Sequence, residues 1–217
     1  MRIRFPWHLL AAVATGLVVA ACGVAPTVEP GADAKAEHFV YKGGNVAATQ
    51  RGAECELTLR GTLTPEAVSA LRLASDALAK RSCRGKAVTL DVADGSVGAA
   101  ITVGSMLRNR GFNTRVAPGS TCHTLCLLVF VAGSQREVGT NARLGFSQIP
   151  PDEDFGRANC DTELDNRQML NLARYLRAML PGLTADYMLQ QIRATDCRSV
   201  RPLPASDAVT AGLATKG

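Results

Sequence analysis

The sequence of 217 residues lacks the features that mark nucleic-acid-binding and metal-binding proteins. It has no run of Arg and Lys interleaved with aromatic residues, and its net charge at pH 7 is only +5, which argues against a nucleic-acid partner. It has no C-x2-C pair, the usual spacing of zinc modules, and no C-x-x-C-H of haem attachment. It has only three histidines. We therefore expect no nucleic acid, no metal and no cofactor.

The first 21 residues predict a bacterial lipoprotein signal peptide. Arg2 and Arg4 precede an apolar run, Leu9 to Ala21, which is too short for a comfortable membrane span. Small residues directly before Cys22 match a lipobox, so Cys22 is expected to become the lipidated first residue and to bind the protein to a membrane. Gly23 weakly favours the outer membrane, with the protein facing the periplasm. An ordinary secretory signal or an uncleaved anchor are the alternatives.

Two further segments follow the predicted signal peptide. Residues 22–40 contain Pro26, Pro30 and Gly31 without apolar periodicity, which predicts a lipidated cysteine followed by a flexible tether. Residues 41–217 are predicted to form one α/β domain. Removal of residues 1–21 leaves about 196 residues, enough for a sizeable core, and lowers the net charge to about +3 because two arginines are lost.

Six cysteines remain after Cys22, and an even number in an exported protein favours disulfides. Chain order suggests the pairs Cys55–Cys83, Cys122–Cys126 and Cys160–Cys197. A pair four residues apart on a regular helix is near the limit of disulfide geometry, so the formation of Cys122–Cys126 stays open. A redox-active pair is one alternative for these two cysteines. A metal site that includes His123 is another, although it lacks a fourth ligand at a familiar spacing.

Strands and helices alternate along residues 54–212, which predicts an α/β domain with mainly parallel strands. Thr64 is a predicted N-cap before Pro65, and Thr184 is expected to cap a later helix. Residues 122–132 are apolar on nearly every face, so this helix is expected to be buried. The predicted strands are 54–61, 86–92, 113–117, 135–138 and 143–146, and the predicted helices are 65–82, 97–110, 122–132, 163–180, 184–194 and 207–212.

Four short motifs occur in a recognisable order. They are the turn 90–95 after a strand, the segment 122–126 leading into a buried helix that ends Ala132-Gly133, the strand 141–148, and the closing segment 207–213. Residues 86–148 resemble the Clp protease proteolytic subunit, and more closely its exported relatives in the ClpP/crotonase superfamily. With the closing segment 207–213 included, the resemblance covers about 150 residues. It implies a single-domain, ClpP/crotonase-like spiral of β-β-α/βα units, and self-association through the helix over 163–180.

Carried over position by position, the resemblance implies a degenerate catalytic triad. Thr124 stands where the family has its nucleophilic serine, and Ser147 stands where it has its histidine. The aspartate position falls near Val200, with Asp196 four residues earlier. Gly95 and the amide of Leu125 would form the oxyanion hole.

The replacements remove the usual chemistry of the family. A hydroxyl needs a base to become a nucleophile, and Ser147 is not a base. His123 directly precedes Thr124, and adjacent residues at a helix start do not face each other. We expect Thr124 to be a cap or first-turn hydroxyl and Ser147 to fill space. Asp94 replaces a glycine and adds a carboxylate beside a site that should stabilise negative charge.

The sequence therefore predicts an envelope lipoprotein with a non-catalytic ClpP-like domain that binds a peptide or protein partner. The alternative is a hydrolase, a peptidase or esterase, with an altered active site that uses Asp94, Asp196 or Lys86. A purely structural envelope protein is the third hypothesis.

Overall fold

The computed structural model describes residues 36–161, 163–196 and 198–217, which contain nine strands and six helices. The strands are β1 Glu37–Tyr41, β2 Gly44–Arg51, β3 Glu54–Leu63, β4 Gly85–Gly95, β5 Asn113–Val116, β6 Thr121–Cys122, β7 Arg136–Val138, β8 Arg143–Phe146 and β9 Arg201–Leu203. The helices are α1 Pro65–Ala79, α2 Val97–Asn109, α3 Thr124–Phe130, α4 Asn166–Met179, α5 Gly182–Ala194 and α6 Ala205–Thr210.

The strands form two sheets. The larger has the order β1-β2-β3-β4-β5-β7, with antiparallel pairing from β1 to β3 and parallel pairing from β3 to β7. The smaller has the order β6-β8-β9, in which β6 and β8 are parallel and β9 is antiparallel to β8. α1 connects β3 to β4 and α2 connects β4 to β5, as parallel neighbours require. The predicted α/β class is confirmed.

Three helices begin close to where the sequence predicts, and local chemistry explains the starts. The Thr64 hydroxyl accepts a hydrogen bond from the Ala67 amide at 3.3 Å, with Pro65 at the first helical position of α1. The Ser96 hydroxyl caps α2 through the Ala99 amide at 3.2 Å. All seven residues of α3 are buried, as its uniformly apolar sequence predicts.

Several predicted element boundaries are wrong. α4 begins at Asn166 rather than at residue 163, because Asp165 is its N-cap, and α6 begins at Ala205 rather than at residue 207. Residues 37–40 of the predicted tether belong to β1, the edge strand of the larger sheet. α5 begins at Gly182 rather than after Thr184, because Pro181 occupies the N-cap position and its carbonyl accepts from the Ala185 amide at 2.9 Å. Proline fits this start, since it has no amide hydrogen to leave unpaired.

Two of the expected disulfides are present. Cys55 in β3 is bonded to Cys83, which follows α1, with a Cα–Cα distance of 5.6 Å. Cys122 is bonded to Cys126 with a Cα–Cα distance of 5.1 Å. The second pair does not lie on a regular helix: Cys122 belongs to β6, and α3 starts two residues later. The strand-to-helix corner brings the sulfur atoms together. The pair Cys160–Cys197 stays a prediction, because Cys197 lies outside the described residues.

The predicted signal peptide, Cys22 and most of the tether also lie outside the described residues. In the part of the chain that the structure describes, no helix is both long and apolar enough to cross a bilayer. Lipid anchoring at Cys22 stays a prediction.

Candidate functional site

The structure brings Thr124 and Ser147 together. Thr124 is the first residue of α3, and Ser147 directly follows β8. The fully buried Thr124 hydroxyl donates to the Ser147 carbonyl oxygen at 2.6 Å and accepts from the Ser147 amide at 2.8 Å. The Ser147 hydroxyl lies 3.3 Å from the Thr124 oxygen. The Thr124 proton is therefore engaged with a backbone carbonyl oxygen, and the hydroxyl links a helix start to a strand end.

His123 is near this pair but is not bonded to it. It occupies the N-cap position of α3, where its carbonyl oxygen accepts from the Leu127 amide at 2.8 Å. Within the described residues, no hydrogen bond joins the imidazole to Thr124. The half-buried ring lies beside Gly145. Burial, and then the positive charge of Arg143, lowers the pKa of His123 below its ordinary value, so the ring is neutral at pH 7.

The predicted oxyanion hole contains an internal anion. Gly95 ends β4 with φ +152°, and a side chain there would collide with Leu63 of β3. The Gly95 amide donates to a carboxylate oxygen of the adjacent Asp94 at 2.7 Å. Leu125 lies in the first turn of α3, where backbone amides have no acceptor within the helix. One of the two expected donors is thus occupied by the carboxylate of the adjacent Asp94.

The other acid and base candidates are placed differently. The Asp196 carbonyl oxygen accepts from the Gln148 amide at 3.3 Å, so this segment lies beside the end of β8. The Asp196 carboxylate accepts from the Arg198 amide at 2.7 Å. Lys86 lies at the start of β4 and donates to the Arg110 carbonyl oxygen at 3.4 Å. It is separated from Asp94 by about 26 Å of extended strand, so the expectation that Lys86 joins the site is wrong.

A cleft of about 450 Å³ lies on the side of the site that His123 faces. Its lining residues are Thr121, His123, Ala142, Arg143, Leu144, Val200, Pro202, Leu203, Pro204 and Ala205. The walls are mainly apolar, with one guanidinium and one imidazole. β9 forms one wall and is the last strand of the smaller sheet. Sequence analysis missed β9, although Pro202 is typical of an edge strand.

Gln148 connects the site to a buried arginine that sequence analysis also missed. The Gln148 side-chain oxygen accepts a hydrogen bond from Nη2 of Arg157. Arg157 lies in the loop between β8 and α4, and only 2 % of it is exposed. An arginine among proline, glycine and acidic residues carries no sequence signal of burial.

The structure excludes the metal alternative at Cys122, His123 and Cys126. Both cysteines are in a disulfide, so neither can supply the thiolate that binds zinc. Among the described residues, no group of three or more His, Cys, Asp or Glu is arranged to hold a metal ion.

Comparison with known proteins rests on structure alone, because no protein-family model and no curated protein matches this chain. A putative enoyl-CoA hydratase from Streptomyces avermitilis is 13% identical, with a TM-score of 0.51 over 79% of this chain and 66% of that chain. An enoyl-CoA hydratase from Mycobacterium marinum is 11% identical, with a TM-score of 0.55 over 79% of this chain and 76% of that chain.

A mutant of a membrane-bound stomatin-specific protease, in complex with a substrate peptide, is 10% identical, with a TM-score of 0.55 over 73% of this chain and 72% of that chain. Our chain spans about two thirds of the length of the Streptomyces protein. Identities this low show a shared fold and nothing finer. The described chain has the ClpP/crotonase fold.

Proposed function

We propose that this protein is a membrane-anchored envelope lipoprotein whose ClpP/crotonase-like domain is non-catalytic and binds a peptide or protein partner. One observation carries the non-catalytic part: the Thr124 hydroxyl is buried and bonded to the backbone of Ser147.

The chemical argument concerns activation of a nucleophile. A serine-type nucleophile needs a general base within about 2.6–3.2 Å of its hydroxyl. In the described residues, the hydrogen-bond partners of the Thr124 hydroxyl are the amide, carbonyl oxygen and hydroxyl of Ser147. None of these groups accepts a proton near neutral pH. The Asp94 carboxylate on the Gly95 amide further opposes charge stabilisation.

The binding part of the proposal rests on the cleft beside His123. Its mainly apolar walls suit the apolar side chains of a ligand. The stomatin-specific protease was solved with a substrate peptide, so a protein of this fold can bind one. Lipidation at Cys22 would keep the cleft close to a membrane surface.

Peptide binding can be tested with one cleft variant and one matched control. Peptides selected from a random library on the mature protein would be measured by fluorescence anisotropy. Val200→Asp places a charge in the cleft wall, at a position that is 41% exposed. We expect it to weaken binding at least about tenfold, since a tenfold change corresponds to about 1.4 kcal/mol.

The control is Leu183→Asp, which adds the same charge at an exposed position outside the cleft. It should leave the affinity unchanged. Equal affinity of the wild-type protein and Val200→Asp would place the peptide elsewhere, and failure to select any peptide would contradict a peptide-binding function.

The hydrolase alternative needs Asp94 to leave the Gly95 amide. Asp94 is exposed, so the movement is not blocked by burial. Peptide and ester substrates should show no turnover above buffer with the wild-type protein or with Thr124→Ala. Turnover that disappears in Thr124→Ala would overturn the non-catalytic proposal.

Lipid anchoring has a direct test of its own. The wild-type protein should incorporate a labelled acyl chain and sediment with membranes, whereas Cys22→Ser should do neither. Unchanged membrane association in Cys22→Ser would favour an uncleaved anchor.

A further inference from the structure

Arg157 lies in a loop that is fixed at several points. The loop connects β8 to α4, and the structure describes its residues 147–161 and 163–165. The amide of Arg157 donates to the Asp152 carbonyl oxygen, and the Asp152 amide donates to the Arg157 carbonyl oxygen, each at 2.8 Å. The Asp152 carboxylate accepts from the Val97 amide at 2.6 Å and from the Phe155 amide at 3.1 Å. This carboxylate therefore attaches the loop to the start of α2.

A second attachment comes from α4. The side-chain amide of Gln168 donates to the carbonyl oxygens of Phe155, at 3.2 Å, and of Gly156, at 3.0 Å. Gln168 is itself held by the Asp165 capping box. The residues directly before Arg157 are thus bonded to both α2 and α4, and the arginine backbone has a defined position.

The guanidinium group of Arg157 is buried without a counter-ion. Its Nη2 donates to Gln148, but Nε and Nη1 have no hydrogen-bond partner. No carboxylate forms an ion pair with it among residues 36–161, 163–196 and 198–217. A buried cation with two unfilled donors is unfavourable unless something else supplies the acceptors.

Arg136 shows how the same chain satisfies a buried arginine that has a structural role. Arg136 is 9 % exposed, and its guanidinium donates to the carbonyl oxygens of Leu213 at 2.7 Å, Gly133 at 2.9 Å and Gly212 at 3.0 Å. It leaves no buried nitrogen unpaired, whereas Arg157 leaves two. Among the described residues, Arg108 and Arg115 leave one buried guanidinium nitrogen unpaired each, and Arg157 is the arginine that leaves two.

We propose that the Arg157 guanidinium, with Gln148 beside it, is a binding site for a carboxylate group of a ligand. A single guanidinium carries one positive charge and matches a monoanion, whereas phosphate sites usually combine several cations or backbone amides. Gln148 directly follows Ser147, so the proposed site adjoins the end of β8. Both open nitrogens are covered, so entry of the ligand requires the Asp152–Val97 bond, or the bonds of Gln168 to Phe155 and Gly156, to open. The inference does not depend on peptide binding in the cleft.

The test observes the Arg157 side chain directly. The mature protein is labelled with ¹⁵N-arginine, and the Nε–H signal of Arg157 is assigned by its absence in Arg157→Lys. The protein is then titrated with sodium acetate, with sodium chloride at equal ionic strength as the reference. We expect a saturable shift of this signal with acetate and none with chloride. If Arg157→Lys folds poorly, the Nε–H signal is assigned instead in the wild-type protein, by through-bond correlation to the backbone amide of Arg157.

Two further arms distinguish the sources of the carboxylate. One uses peptides with a free C-terminus and no acidic side chain, and the other uses amidated peptides with a single glutamate. Saturation at lower concentration in one arm identifies the source. Arg177→Gln removes an exposed arginine that pairs with Asp186 and should leave the acetate response unchanged. Val200→Asp should also retain this response, which separates the site from the cleft.

The proposal is overturned by no saturable shift with acetate or with either peptide. It is equally overturned if phosphate saturates the signal at lower concentration than acetate, because the class of ligand would then be a phosphate.

Discussion

The Thr124 hydroxyl joins α3 to the end of β8 through Ser147, and its removal should cost stability. Thr124→Val keeps the shape of the side chain but leaves the Ser147 amide and carbonyl oxygen without their partner. An unpaired buried polar group costs about 1–3 kcal/mol, so we expect the free energy of unfolding in urea to fall by that amount. Thr102→Val is the control, because its exposed hydroxyl bonds only the Gly98 carbonyl oxygen of its own helix. Equal losses in both variants would contradict a linking role for Thr124.

His123 should make the stability of the fold depend on pH. Its folded-state pKa is lowered by burial and by Arg143, so the unfolded chain takes up the proton first as pH falls. The stability contributed by the neutral ring is fully present above the unfolded pKa of about 6.5 and is lost as pH falls through the folded pKa.

His123→Gln should therefore lose less stability than the wild-type protein between pH 7 and pH 5, as measured by urea unfolding. His38→Gln is the control, since His38 is an exposed histidine on the edge strand β1. Identical pH dependence of the wild-type protein and His123→Gln would show that the half-buried ring does not contribute.

For single residues, the sequence predicts positions in the site better than it predicts side-chain contacts. The resemblance assigns Thr124 and Ser147 to the serine and histidine positions of the family, and the structure brings the two residues into contact. The resemblance could not predict what the hydroxyl does, because its partner is the backbone of a residue 23 positions away. The contact between Asp94 and the Gly95 amide is local, because it joins neighbouring residues. The role of Arg157 depends on loop packing that no periodicity encodes.

Three helices meet at Tyr175, which is an element-scale feature of the core. The Tyr175 hydroxyl on α4 donates to the Leu128 carbonyl oxygen on α3 at 2.6 Å. Gly104 on α2 leaves room for this hydroxyl, because a side chain there would collide with it. The Ala132 amide, just after α3, donates to the Val129 carbonyl oxygen and not to that of Leu128. The Leu128 carbonyl oxygen is therefore available to Tyr175. Burial raises the pKa of Tyr175 well above its ordinary value, which keeps the hydroxyl protonated as the donor.

This packing predicts a coupling between α2 and α4. Gly104→Ala should destabilise the fold, and Tyr175→Phe should cost about 1–3 kcal/mol because the Leu128 carbonyl oxygen loses its donor. In the Tyr175→Phe background, Gly104→Ala should cost less, and a double-mutant cycle of unfolding free energies measures the difference.

Gly98→Ala is the matched control for this cycle. It lies on the same helix, and no atom lies within 4 Å of the added side chain, so we expect it to stabilise the protein by about 0.5 kcal/mol. Additive costs of Gly104→Ala and Tyr175→Phe would rule out the proposed contact.

Elements with a strong local signal were predicted from the sequence, and the edge of the sheet was not. α1, α2 and α3 have caps or a continuous apolar run, so their existence follows from short-range chemistry. β1 and β2 lack such a signal: only Val46 and Ala48 of β2 point inward, and β1 has one buried residue, Tyr41. Their strand conformation comes from pairing with β3, which is a tertiary effect.

At the scale of the whole molecule, most apolar residues of α4 pack against the core of the same chain. Leu172, Tyr175 and Leu176 are buried in the same chain, while Leu170 is 47% exposed. Self-association through this helix, which the family resemblance implies, stays a prediction. It would have to use the outer side of α4, around Leu170. Sedimentation of the wild-type protein and of Leu170→Glu across a range of concentrations tests it, and a monomer throughout would exclude it.

The two disulfides close loops of very different length, so they should contribute unequally to global stability. Cys55–Cys83 spans 28 residues across β3, α1 and the approach to β4, whereas Cys122–Cys126 spans four. Constraint of the unfolded chain predicts a stabilisation of about 3–4 kcal/mol for the longer loop and about 2 kcal/mol for the shorter one.

Both members of each pair would be replaced by alanine, so that the same atoms are removed. The Cys55→Ala/Cys83→Ala variant should lose more free energy of unfolding in urea. A larger loss in Cys122→Ala/Cys126→Ala would instead show that the corner between β6 and α3 depends on its disulfide for native packing.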